Sequence, residues 1–595
     1  MKKSKHIIAL AALGLSLGAT SCQDMLETAS DRQAFDPALD QKTDSMFYTL
    51  GILKGMQQAA DQYFLVNEMR GDLVATTQYT ETPLRELANF SATTANKYDS
   101  AYVYYRVINN CNYYIAHRDT SLRTGSTLVA MPEYVQAHSI RAWAYLQLVK
   151  TYGRVPFYTE PLTSISDANK DYGQVGISEL CEKLAPELAR YSGYRLPTYG
   201  ERVSAGQTSR GETKYVDYAK TMIPVDVILG DLYLESGNYL EAAKAYFNYL
   251  KTSKLTAANY RVALFDHFGK VATKVPTSAV AYASGDLWNT IFSIDAPKDI
   301  VTYIPMAVNS MRGTVSNLPA IFGYDFYGTA GSQNNFGGGY FLERQIMPSQ
   351  QLYDLSAANH YYYGLGTGEE QVYEESTVSD LRLWESMTTV HAMDSTFDAI
   401  KKLNSANVVV YRGTTVFLRL AEALNRLGYP DAAFAILKDG IDQEIAGMAY
   451  VRPETVEFLT TTLPFLSEEN ENLFTSANGI HSHGAGFVGG EKSPYQMDTI
   501  VGNKIKELVQ LHGITPTGTM ADTINAVEDL ICDEYALEFA FEGCRFGDLT
   551  RIARHKNSAG LYFDNFGGEW LARKLAFKNP VVDLRDENNW YLPFK

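Results

Sequence analysis

Cysteine is scarce in this chain. The five cysteines in 595 residues are too few for a disulfide framework, and none forms the C-x-x-C spacing of a zinc or redox site. Positive charge is also in short supply: 52 Lys and Arg stand against 68 Asp and Glu, a net charge of -16. Such a surface repels phosphate backbones and anionic headgroups, so nucleic acid is not an expected partner. Apolar runs never reach the roughly 18 residues that a bilayer span requires, and no transmembrane helix is expected. Catalytic patterns are missing too. There is no H-E-x-x-H and no phosphate-binding G-x-x-x-x-G-K-[ST], and G-L-S-L-G at 14–18 lies in a segment expected to be removed. His481 and His483 sit in the glycine loop NGIHSHGAG with no cysteine or carboxylate beside them in sequence, so neither a metal nor a cofactor is expected.

What is present begins with an address. Lys2, Lys3 and Lys5 form a basic start, Ile7 to Ala19 an apolar stretch, and Ala19, Thr20 and Ser21 lead into Cys22. This reads as a secretory signal over 1–21 ending in a lipoprotein box, although Ala19 stands where such boxes usually carry Leu. Cys22 is the expected acylation site. Acyl chains, not a basic patch, would then hold this acidic protein at a membrane. Cys111, Cys181, Cys532 and Cys544 lie near no base motif and read as buried free thiols.

Residues 22–42 are polar and acidic with little periodicity and read as a tether. From 43 to 255 helical periodicity dominates. In VDVILGDLYLESGNYLEAAKAYFNYLKTS, residues 225–253, Leu229, Gly230, Tyr233, Ala242 and Tyr246 fall at tetratricopeptide spacings, and Gly237-Asn238 marks the turn. A second hairpin of the same kind follows at 417–440, where Leu420, Ala421 and Ala433 take the places of Leu229, Gly230 and Ala242. Between them, 256–405 is rich in Gly, Ser, Asn and aromatics and cannot be one continuous helix. Residues 406–595 return to helical hairpins and a closing segment. The fold expected is mostly α: tetratricopeptide-like hairpins in an α superhelix with a loop-rich face, 43–595 forming one domain.

Three runs sharpen this reading: R-A-W-A-Y-L-Q-L-V-K-T-Y-G-R-V-P at 141–156, L-R-L-A-E-A-L-N-R-L-G at 418–428, and E-F-A-F-E-G-C-R-F-G-D-L-T-R at 538–551. In this order, behind a lipoprotein signal, they resemble the SusD/RagB family of Bacteroidetes surface lipoproteins. The resemblance extends from Cys22 to the terminal Asn-Trp-Tyr-Leu-Pro-Phe. It implies a noncatalytic protein lipid-anchored on the outer face of the outer membrane. Such a protein captures a glycan, or a peptide in the RagB branch, and passes it to a SusC-like TonB-dependent transporter.

The 41 Tyr against 27 Phe suit flat surfaces that are apolar on the face and hydrogen-bonding at the tip. In the insertion, Trp288, Tyr324, Tyr327 and Asn334 combine rings for stacking with amide groups for hydroxyls, the chemistry of a neutral sugar site, with plain packing as the competing role. Asp72, Tyr79 and Phe90 lie in a segment that leaves helical periodicity and resembles the family's loop near the ligand face; packing on the scaffold competes there too. Glu538 and Glu542, spaced for one helix face, do not flank a cleft as glycosidase acids do and read, with Arg545, Asp548 and Arg551, as a buried ionic network. An exported hydrolase would instead need acids in separate loops, such as Asp325 with Glu343 or Asp354.

The anchor is directly testable. Labelled palmitate should enter the wild-type protein and not Cys22→Ala, which should leave the membrane fraction; label and membrane retention in Cys22→Ala would refute the lipoprotein reading.

Overall fold

The computed structural model describes residues 42–194, 203–207, 213–216, 218–253, 299–307, 310, 313–325, 339–340, 343–365, 372–392, 395–403, 406–474 and 478–594. Its longer helices are α1 (Lys42–Arg70), α2 (Ala101–His117), α3 (Met131–Tyr152), α4 (Ile177–Ala189), α5 (Val225–Glu235), α6 (Tyr239–Ser253) and α7 (Gln350–Ala358). After the insertion come α8 (Gly413–Arg426), α9 (Pro430–Lys438), α10 (Pro453–Thr461), α11 (Met497–His512), α12 (Met520–Phe539), α13 (Arg545–Ser558) and α14 (Phe566–Leu575). The chain is thus mostly helical, and α2 with α3, α5 with α6, α8 with α9 and α13 with α14 pack as neighbours. The strands among the described residues form two-stranded antiparallel pairs. No described helix is long and apolar enough to cross a membrane.

The hairpin motif works as its residue sizes predict. A Cβ on Gly230 would sit 2.4 Å from the Tyr246 ring, so only glycine lets α5 and α6 approach this closely. The insertion interrupts the hairpin array in sequence but not in space, because α6 packs directly on α8. Asp231 joins the two hairpins: its carboxylate accepts from Tyr246 Oη at 2.7 Å and Tyr411 Oη at 2.6 Å and pairs with Arg419. One hydrophobic cluster runs from Ile52 to Leu592. The last residues close over the first helix, with Arg70 Nη1 donating to the Trp590 carbonyl at 2.8 Å and Leu592 N to the Thr151 carbonyl at 2.9 Å.

Glu538 and Glu542 do not share a helix face. Helix α12 ends at Phe539, and Phe541 and Gly543 take left-handed φ of 66° and 75°. Buried Glu68 of α1 stabilises this turn by accepting the Phe541 and Gly543 N–H groups at 2.9 and 3.0 Å.

The ionic network is present, with partners that local spacing did not suggest. Arg382 is fully buried between Asp380, Glu534 and Glu538. Arg412 reaches Asp299 at 2.6 Å, Glu538 at 2.6 Å and Glu542 at 3.0 Å, and Lys402 reaches Glu542 at 2.8 Å. Arg545 goes instead to Asp72, while Arg551 keeps the expected Asp548 at 2.8 Å and adds Glu422. Deleting one member of such a buried set strands its partners without compensation, at a cost of about 3–5 kcal/mol. Glu538→Ala should therefore lower the urea-unfolding free energy by roughly that amount, measured on the folded protein; a loss under about 1 kcal/mol would mean that these pairs do not hold the insertion to α12.

Candidate functional site

The first loop, 71–99, which is interrupted by a strand at Val74–Thr76 and a short helix at Thr82–Ala88 that the sequence reading did not anticipate, meets the described end of the insertion along a set of side-chain-to-backbone hydrogen bonds. Ser316 Oγ and Asn317 N donate to the two Asp61 oxygens at 2.6 and 2.8 Å, docking the insertion on α1. Thr77 Oγ1 donates to the Arg344 carbonyl at 2.6 Å, Thr80 Oγ1 to the Gln345 carbonyl, and Glu81 N to Gln345 Oε1 at 2.9 Å. Residues 74–76 pair with 346–348, Val74 opposite Pro348. Arg85 braces the loop from within, its Nε donating to the Thr80 carbonyl at 2.7 Å.

These contacts leave a cavity of about 480 Å³ lined by Glu81, Lys97, Tyr98, Asn317, Glu343 and Gln345, within the usual size range of small-molecule sites. Lys97, about half exposed, pairs with Glu81 at 2.7 Å and lies 4.9 Å from the centre of the Tyr98 ring. Burial first, and the nearby Glu81 and Asp61 charges second, push the Tyr98 phenol above its ordinary range, so it stays a neutral hydrogen-bonding group. An aromatic edge, amides and hydroxyl-matching donors and acceptors suit a polyhydroxylated ligand.

Of the residues singled out in the sequence, Tyr79 is exposed at 43% in this loop, where a ligand can reach it. Asp72 is committed to the scaffold. It is buried and bidentate with Arg545 at 2.5 and 2.9 Å; burial opposes ionisation, but the guanidinium outweighs it and holds the carboxyl below its usual range. Phe90, with φ of 60°, packs its ring 5.5 Å from Phe546. Tyr324 is only 2% exposed and belongs to the hydrophobic core. Cys22, Trp288, Tyr327 and Asn334 lie outside the described residues. Asp354 is on the surface of α7, bonded to Gln350 at 2.8 Å, and Glu343 lines the cavity.

Sequence reasoning missed Lys97, Tyr98, Asn317 and Gln345 because they become neighbours only when the insertion docks. It also missed the carboxylates near the histidine loop. His481 Nδ1 lies 2.8 Å from Glu534 and His483 Nδ1 3.2 Å from Glu538, both on α12. Arg382 already partners both acids, and among the described residues no group of His, Cys, Asp and Glu is arranged to hold a metal ion.

No family model and no curated protein matches the chain. Solved structures do. A laminarin-binding SusD-like protein superposes with a TM-score of 0.50 at 13% identity, covering 92% of this chain and 95% of its own. A SusD superfamily protein from Bacteroides vulgatus gives 0.51 at 13% identity, covering 93% and 96%. This chain has the SusD-like fold.

Two opposite pH dependences are built into the scaffold. Burial raises Glu68 to about 7 against the hydrogen bonds it accepts. Around Glu235, Glu528 and Glu534 burial also opposes ionisation, but neighbouring Arg and Lys charges prevail and hold each at about 2. A raised carboxyl favours the folded state below its unfolded pKa and loses that benefit as pH climbs through its folded value; depressed carboxyls lose theirs as pH falls. Glu68→Gln should therefore remove a stability decline of roughly 3 kcal/mol or less between pH 4.5 and 7, while both proteins lose stability together from pH 4.5 toward 2. Parallel urea-unfolding curves for the two proteins between pH 4.5 and 7 would refute the Glu68 assignment.

Proposed function

We propose that this protein is a noncatalytic glycan-binding lipoprotein of the SusD/RagB type. It is anchored through Cys22 on the outer face of the outer membrane, where it captures an oligosaccharide or polysaccharide and hands it to a SusC-like TonB-dependent transporter. The observation that carries the reading is the SusD-like fold extending over more than nine-tenths of the chain, with a polar cavity where the first loop meets the insertion. The three sequence runs and the signal ending at Cys22 support the same assignment.

Ligand contact is assigned to Tyr79 and the cavity residues Tyr98, Asn317 and Gln345, with Trp288, Tyr327 and Asn334 contributing from the insertion. Tyr324, Asp72 and Phe90 then act from beneath, holding the surface that the ligand meets. Glu81, Lys97 and Glu343 bring charge to the cavity, which is the observation favouring the second reading, a RagB-like peptide site. Salt separates the two, because charge-driven peptide binding weakens with ionic strength while stacking on a neutral sugar does not.

Laminarin, the ligand in the name of one structural neighbour, is the first probe, followed by a panel of other glycans and a peptide digest. Calorimetry should give a glycan dissociation constant between about 1 µM and 1 mM, little changed by salt. Tyr79→Ala, Trp288→Ala or Tyr327→Ala should weaken it by roughly 5- to 70-fold, the loss of about 1 to 2.5 kcal/mol of stacking per ring, with melting unchanged. Tyr324→Ala should lower the melting temperature instead. Binding of peptides alone, or release of reducing ends on overnight incubation, would overturn the reading. Recovery of this chain from gentle detergent without a large barrel protein would overturn the transporter partnership.

A further inference from the structure

A second cavity, of about 380 Å³, opens among the C-terminal helices and shares no lining residue with the first. It lies between α11, α12 and α14. Leu508, Leu511 and Trp570 form its apolar walls, and Leu511 is 52% exposed at the surface although it is a large hydrophobic residue.

The charged groups around this cleft are unequally satisfied. Asp529 accepts from Trp570 Nε1 at 2.7 Å and Lys556 at 2.9 Å. Lys504 bonds Asp533 and Glu507, both at 2.7 Å, and Arg573 donates to Glu569 at 2.8 Å and to the Leu511 carbonyl at 2.9 Å. Lys574 differs. Its nearest carboxylate, Asp533, is 3.8 Å away, beyond hydrogen-bond range, and its ammonium lies 5.2 Å from the Trp570 ring centre. His512, at the end of α11, also lines the cleft, and its Nδ1 is buried without a hydrogen-bond partner. Burial brings the imidazole down to about 4, so it is a neutral donor or acceptor at neutral pH.

Lys574 is about a quarter exposed where it lines the cleft, so its ammonium stands beside apolar walls without a close acceptor and can take one from a bound group. The acids lining the cleft already hold donors, so the unmet demand is for an acceptor. We propose that this cleft is a second binding site, distinct from the glycan face, for a small apolar molecule carrying a carboxylate. The apolar body would lie against Leu508, Leu511 and Trp570, and the carboxylate would meet Lys574.

Benzoate is the probe, with benzamide as its uncharged isostere, added to the whole chain in detergent and followed by calorimetry and ligand-observed NMR. Benzoate should bind saturably with a dissociation constant of about 1 mM, and benzamide about tenfold more weakly. Lys574→Met should erase that preference. Leu511→Trp, a change at an exposed position, should fill the mouth and abolish binding of both, while laminarin affinity stays as in the wild type. Absence of saturable benzoate binding up to about 20 mM, equal affinity for the two probes, or benzoate binding that survives Leu511→Trp would each overturn the proposal. None of these outcomes bears on glycan capture.

Discussion

The carboxylates at the end of α12 are the constraint on which the rest depends. Glu534, Glu538 and the adjoining Glu542 lie inside the protein, where each isolated charge would cost several kcal/mol. Their compensation comes from elsewhere in the chain: Arg382 and Lys402 from the insertion, Arg412 from the strand before α8, and His481 and His483 from the glycine loop. An irregular insertion has little apolar periodicity with which to dock itself. Ion pairs with fixed donor geometry give it one register against the helical body. The same geometry explains why the histidine loop holds no vacant ligand set, since the acids nearest to it already have guanidinium partners.

The candidate ligand face follows from that docking. Once the insertion is held against α12 and, through Ser316 and Asn317, against Asp61 of α1, the backbone at 344–345 comes within reach of Thr77, Thr80 and Glu81. The cavity is what remains between two segments whose backbones are satisfied by each other. Glu81, Lys97, Asn317 and Gln345 give that cavity a polar lining. Tyr79 stands exposed in the first loop, whereas Asp72 and Tyr324 are buried in the scaffold.

The sequence determined a good deal alone. The spacing of small and large residues at Gly230 and Tyr246 dictates a close helix pair, because the contact is local and every residue in it is specified within one hairpin. The mostly helical architecture and the buried character of the acids near 538 were legible for the same reason: each is written in neighbouring residues. Tertiary structure decided the pairings. Arg545 lies seven residues from Glu538 yet bonds Asp72, while Glu538 takes Arg382 and Arg412 from far upstream. Helix α12 also stops before Glu542, because Glu68, on another helix, captures the turn's N–H groups. Charge partners and cavity walls are properties of distance in space, and an ion pair or hydrogen bond acts over a few ångströms whatever the length of chain between its members. Only the folded body determines which residues come that close.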